Sequence, residues 1–193
     1  MTKSEKTRQF IIEQSATIIN RKGVAGTSIS DLMEATKLAK GGIYGNFESK
    51  EEICVEAFDY LTGRVSSGLN SVISQKTTAR EKLFALLDYY RDRLATSETG
   101  GCPLLNFGTE ADDTNPDLKQ RVAKAIKASQ QRMTRLVEEG QANGEFNRNI
   151  DAGLFAVKMF TMIEGAMFTS RVTNNKAPMK TIVDILKKEI ESF

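Results

Sequence analysis

The residues best suited to recognising another molecule in this chain are Lys40, Gly41, Gly42, Tyr44 and Asn46, in the run KGGIYGNF. They combine a cation, bare backbone, an aromatic ring and an amide. On a short helix they point outward, while Ile43 and Phe47, four apart, face inward. Such a face can read base edges in a DNA groove, and the two glycines let backbone approach closely because no Cβ intervenes. Catalytic alternatives lack their residues. The chain has no histidine, which removes the usual general base, most zinc sites and every Ser-His or Cys-His nucleophile. No P-loop occurs, and Lys40 stands where a dinucleotide fingerprint needs its first glycine. The acid pairs Glu51-Glu52, Asp112-Asp113 and Glu138-Glu139 read as solvated faces or helix-terminal charges. No enzymatic activity, no cofactor and no metal is expected.

The elements that must position this face are legible around it. Ser28 to Phe47, SISDLMEATKLAKGGIYGNF, reads as two short helices and a tight turn: Ser28 and Asp31 have capping-box spacing, and Ile29, Leu32 and Met33 recur at i, i+3, i+4. The first helix should end at Ala35 to Lys37 and the second run from about Ala39 to Phe47. Before them, Ile12, Ala16 and Ile19 mark an amphipathic helix from about Lys3 to Arg21, closed by Gly23. After them, Ser49 and Glu52 open a long helix, to about Ser74, striped by Ile53, Ala57, Leu61, Val65, Leu69 and Val72. Lys50 lies in its first turn, beside amides able to bind a phosphate. Positive charge gathers in this region: Met1 to Lys50 holds eight basic and five acidic residues, a net +3, within a chain of net +2.

At 193 residues, 40% hydrophobic and 27% charged, the chain has the balance of a globular protein with a sizeable core. Cys54 and Cys102 are too far apart in sequence, and too few, for a disulfide framework. A reducing cytoplasm is expected, with no membrane association, since no secretory leader and no run approaching bilayer-spanning length is read. A helix opens at Thr78, with Glu81 at capping-box spacing, and runs through Leu94 to a break at Gly100-Gly101. A short segment from Cys102-Pro103 precedes a long helix that starts at Asn115-Pro116 and stops near Asn143-Gly144. Two further helices follow, about Asp151 to Val172 and one after Pro178, both apolar over much of their circumference. Such faces are buried within one chain or form a four-helix bundle with the same pair from a second copy. The fold class is all-α, about nine helices, with no strand-like alternation.

Tyr44-Gly-Asn-Phe-Glu-Ser-Lys-Glu-Glu52, after the Lys-Gly pair and the Gly23-Val-Ala-Gly-Thr-Ser28 link, is similar to the DNA-binding domain of the TetR family of bacterial regulators. The Gly144-Glu-Phe146 step before Ile150-Asp151 extends the resemblance weakly. It implies a three-helix helix-turn-helix domain over residues 4–64, with the motif at 28–47, and an effector-binding and dimerisation domain over 65–193. It puts Lys40, Gly41, Gly42 and Tyr44 at the DNA, and Thr27, Ser28, Tyr44 and Lys50 on phosphates. It implies a homodimer through the last two helices, with Phe168, Ile182 and Leu186 at the interface. It also implies an effector pocket, for which Phe84, Tyr90, Phe107, Met133, Met159, Phe160 and Met162 are the candidates, since thioethers repack easily. The expected function is a repressor released from a palindromic double-stranded DNA operator by a small hydrophobic effector. The alternatives are a redox or electrophile sensor using Cys102, which follows two glycines and precedes Pro103 where a helix N-terminus favours thiolate, and a non-responsive structural DNA-binding protein.

Overall fold

A computed structural model of the chain describes residues 1–94 and 100–193. Nine α-helices occur among the described residues: α1 Lys3–Lys22, α2 Ile29–Thr36, α3 Lys40–Tyr44, α4 Lys50–Ile73, α5 Ala79–Tyr89, α6 Pro103–Ala111, α7 Pro116–Ala142, α8 Ala152–Val172 and α9 Ala177–Glu191. No described residue is in a strand. After α5 the backbone widens into π geometry over Tyr90–Leu94. The expected end of that helix at 95–99 lies outside the described residues.

Most helix starts follow from local side chains. Thr2 and Glu5, Ser28 and Asp31, and Thr78 and Glu81 form reciprocal capping boxes on α1, α2 and α5, each satisfying first-turn amides that lack intrahelical partners. Asn115 Oδ1 accepts from the Leu118 amide at 3.0 Å to open α7, and Asp151 does the same for α8 through Leu154 at 2.9 Å. Ser49 caps α4 through the Glu52 amide, but the Glu52 carboxylate returns to the Glu48 amide, one residue earlier than a capping box requires. The second helix of the motif is shorter than expected. It ends at Tyr44, and Gly45 and Asn46 form a turn, consistent with the weak helix preference of glycine.

The chain divides into two compact units, Met1–Val65 with Glu98–Val122, and Ser66–Ser97 with Ala123–Phe193. The expected division lies at 64/65, and in the structure α6 and the start of α7 pack with the helix-turn-helix. In the first unit Ile11, Ala16, Ile19, Leu32, Ile43, Phe47, Ile53 and Phe58 are buried, and Phe107 of α6 lies 5.4 Å from the Phe58 ring. In the second unit α8 packs along α9, and α5 also contacts α9. Its buried side chains include Leu83, Leu87, Met133, Val137, Met159, Ile163, Met167, Val183, Leu186 and Ile190. Phe193 closes one end edge-on to Phe146 and Phe155.

The α8 helix also corrects an expectation. It has 21 residues and an 18-residue window of mean hydropathy 1.2, long and apolar enough to cross a membrane by length and composition. Buried Ala156, Met159, Ile163 and Met167 explain one side, packed within the chain. The other side carries exposed Leu154, Val157, Phe168 and Val172.

Candidate nucleic-acid interface

The motif is held from beneath and from its ends. Leu32 and Ile43 are fully buried and anchor α2 and α3. Between the helices Lys37 takes a left-handed conformation, φ 57°, with the Thr36 hydroxyl donating to Leu32 O at 2.7 Å and accepting from the Leu38 amide at 3.3 Å. At the entrance to α2, Asp31 accepts from the Ser28 amide at 2.8 Å and pairs with Lys22 Nζ at 2.5 Å. Lys22, then the Ser28 amide and hydroxyl, holds the Asp31 carboxyl well below the usual carboxylate range. The stabilisation from this depressed pKa is present at neutral pH and disappears as pH falls through the folded-state value.

On this frame α3 presents Lys40, Gly41, Gly42 and Tyr44 to solvent, with Tyr44 39% exposed and Lys40 Nζ 5.8 Å from its ring centroid. A Cβ added at Gly41 would meet nothing within 4 Å. Ser28 is exposed at the α2 N-terminus.

Three expected DNA-contacting side chains make hydrogen bonds within the chain. Thr27 is 1% exposed, and its hydroxyl donates to Gly23 O at 2.6 Å, so it braces the α1–α2 loop. Asn46 is half-buried and closes the end of α3, donating to Gly42 O at 2.8 Å. Lys50 Nζ donates to Val24 O at 2.8 Å and Thr27 O at 2.9 Å, which makes it a clasp on that same loop. Lys50→Ala is accordingly expected to lower unfolding free energy by about 1–3 kcal/mol, the cost of losing charged hydrogen bonds to carbonyls. A thermal or urea melt unchanged by the substitution would show that the clasp carries no load.

Arg8 was not singled out by sequence reasoning. Its guanidinium lies 4.1 Å over the Phe47 ring and donates to Asn46 O, to Glu52 at 2.5 Å and to Glu56. It ties the turn after α3 to α4, and with the Glu48 amide it holds the Glu52 carboxyl below its ordinary value. Only its basic character was visible in sequence, because its partners lie 38 to 48 residues away.

The remaining candidates separate between the units. Tyr90, Met133, Met159 and Phe160 are buried in the second unit, with Phe84 and Met162 half-buried. Phe107 does not join them, since it packs on Phe58 in the first unit. A groove of about 530 Å³ opens in the first unit between Gln9, Ile12, Val55, Tyr60 and Arg121, and none of the seven expected pocket residues lines it. Phe168 is 54% exposed and Ile182 half-buried, whereas Leu186 is fully buried and belongs to the core of a single chain, not to an interface.

Cys102 is 5% exposed at the N-cap of α6, so its sulfur is buried. Cys54 is also buried, and burial pushes its thiol up to about 12. Both thiols should react with an aromatic disulfide reagent at pH 7 only as fast as the protein opens. Stability contributed by a neutral Cys54 is complete below about pH 8.5, the ordinary thiol value, and declines as pH rises from there towards about 12. Fast labelling of Cys102 in the folded protein would favour the sensor alternative.

This arrangement defines a helix-turn-helix protein with an exposed second helix, a DNA-binding class. Residues 11–57 match the family model for bacterial regulatory proteins of the tetR family, and residues 79–186 match that for the tetracyclin repressor-like C-terminal domain. The chain belongs to the TetR family. A TetR-family regulator from Cytophaga hutchinsonii is 38% identical, with 100% of this chain and 97% of that chain covered and a TM-score of 0.94. A TetR regulator from Chloroflexus aurantiacus is 36% identical, with 98% and 96% covered and a TM-score of 0.93. The helix-turn-helix-type regulator of the lacX 3′ region of Lactococcus lactis is 25% identical, with 96% of this chain and 93% of that protein covered. The chain is thus a DNA-binding transcriptional regulator and not an enzyme. Regulators of this family bind operator DNA as dimers.

Proposed function

We propose that the protein is a homodimeric repressor that binds a palindromic operator through α3 and releases it on binding a small apolar or amphipathic effector. The exposed Lys40-Gly41-Gly42-Tyr44 face, on a helix anchored by buried Ile43, carries this reading. Two such faces related by two-fold symmetry would engage half-sites about 34 Å apart, one turn of DNA, or somewhat more. Phosphate contacts fall to Lys40, Tyr44 and the α2 N-terminus at Ser28, with base edges read around Gly41 and Gly42. A cytoplasmic location follows from operator binding.

The effector class is supported by the methionine and aromatic side chains of the second unit, which can repack around an apolar guest. The α4 helix contributes residues to both units, a covalent route by which binding in one can bias the other. The effector must favour the DNA-incompetent state, because equal affinity for both states shifts nothing. Selection of bound duplexes from a random pool, followed by fluorescence anisotropy, tests the reading. A palindrome should emerge and bind two chains, and apolar or amphipathic compounds should release it. By linkage, operator should weaken effector binding by the same factor. Failure to enrich any sequence would sink the proposal, and a selected operator that no such compound releases would leave the non-responsive DNA-binding alternative.

A further inference from the structure

Lys50 reaches the Gly23–Thr27 loop from α4, and α6 grips the same loop and the helix end before it through side chains one turn apart. Asn106 Nδ2 donates to Asn20 O at 2.8 Å, to Gly100 O at 2.8 Å and to Asn20 Oδ1 at 3.1 Å, and buried Asn20 donates to Gly101 O at 3.2 Å. Asn20 O is one of the last four carbonyls of α1, which have no partner within the helix. Gly100, at φ +109°, lies against this end so closely that a Cβ there would fall 2.8 Å from Arg21 Cγ.

Glu110, four residues beyond Asn106 and so on the same helical face, accepts from the Ala25 amide at 3.0 Å. Its carboxylate rests on Gly23, where a Cβ would fall 1.7 Å from Oε1 and where φ is +81°. Position 23 therefore favours glycine through its backbone conformation, and a larger residue there would push the Glu110 carboxylate aside. An amide of the loop is held by an anion from α6, and two of its carbonyls by a cation from α4. The loop then passes directly into the Ser28 cap of α2.

We propose that Asn106 and Glu110 are positioning residues for DNA binding: they touch no DNA, but fix the end of α1 and the Gly23–Thr27 loop, and so the seating of α2 and α3. This rests on α3 being the DNA-contacting helix. Both residues lie in the stretch matched by the C-terminal family model, 79–186, yet they pack in the same compact unit as the helix-turn-helix. Part of the C-terminal region is thereby built into the DNA-binding unit, and any displacement of α6 is felt by the loop.

The test uses the full chain, a duplex selected from a random pool and a scrambled duplex, with amide hydrogen exchange at Ala25 as the structural readout. Glu110→Ala and Asn106→Ala should each weaken the selected duplex about tenfold, the scale of one charged or doubly used hydrogen bond. Affinity for the scrambled duplex and the slope of log affinity against log salt should not change, because no phosphate contact is lost. Ala25 should exchange faster in Glu110→Ala. Glu110→Gln, whose side-chain carbonyl still accepts, should restore both slow exchange and affinity. If an alanine variant unfolds, Glu110→Asp replaces it, since it is one methylene shorter and drawn away from Ala25 without loss of charge. Fast Ala25 exchange with wild-type operator affinity, in a folded variant, overturns the proposal. So does equal loss on both duplexes with a shallower salt slope, which would mean direct phosphate contact. Gly41→Leu run alongside separates the two readings: wild-type affinity there removes α3 from the groove and this proposal with it, whereas loss there with none in Glu110→Ala overturns the positioning role alone.

Discussion

Phe168→Asp should convert the protein from dimer to monomer while leaving each chain folded. Leu154, Phe168 and Val172 are 69%, 54% and 64% exposed along α8, and with exposed Val157 they follow helical spacing along one side. Ile185 of α9 is also exposed. Gly165 sits among them, and a Cβ there would meet nothing within 4 Å, so the middle of the stripe is open to a second helix. An exposed apolar stripe of this kind suits an interaction surface. Burying each large side chain contributes about 1.5–3 kcal/mol, and a two-fold interface counts every residue twice. Replacing Phe168 by a carboxylate removes that burial and adds the cost of desolvating two charges. The dimer dissociation constant should rise on the order of a thousandfold, about 4 kcal/mol. Operator affinity should fall with it, since each monomer engages one half-site alone. Light scattering or sedimentation over a concentration series, with helicity checked by circular dichroism, decides the matter. A folded Phe168→Asp that remains dimeric at wild-type concentrations would rule the stripe out. Leu186→Asp is the contrasting control: its side chain is in the core, so it should unfold the chain instead of splitting the dimer.

Substitutions at Gly41 should move stability and DNA binding in opposite directions. The residue is the second of α3, and the direction a Cβ would take is empty. Alanine there has space and a better helix propensity, worth about 0.5–1 kcal/mol, so Gly41→Ala should melt higher by roughly 1–4 °C for a chain of this size. Gly41→Leu should also remain folded. If α3 lies in the groove, however, a leucine occupies the space where DNA must come closest, and operator affinity should drop about a hundredfold, roughly 2.7 kcal/mol. Gly41→Ala should lose less. Because the stability change has the opposite sign, the loss cannot be ascribed to unfolding. A Gly41→Leu protein with wild-type operator affinity would remove this face of α3 from the interface.

The sequence by itself determined the helices, most of their starts and the family of the DNA-binding motif. These are local matters: a serine or threonine and an acid three residues on, a proline after an asparagine, and apolar residues every three or four positions act over one or two turns. Ser28 with Asp31 and Thr78 with Glu81 form the boxes their spacing predicts. Tertiary structure decided which side chains were left over for function. Lys50 was legible as a cation beside a helix start, but its partners, Val24 O and Thr27 O, are 26 and 23 residues away, and they make it a clasp on the α1–α2 loop. Thr27 and Leu186 carry no local sign that they are buried while Ser28 and Phe168 are exposed. The side of a mostly apolar helix that faces the core depends on what packs against it. Glu110 reaches Ala25 across 85 residues, and Phe107 chooses Phe58 over the methionines of the second unit. A hydrogen bond or ring contact between distant segments exists only once the whole chain has closed around it, so no window of sequence could have shown these placements.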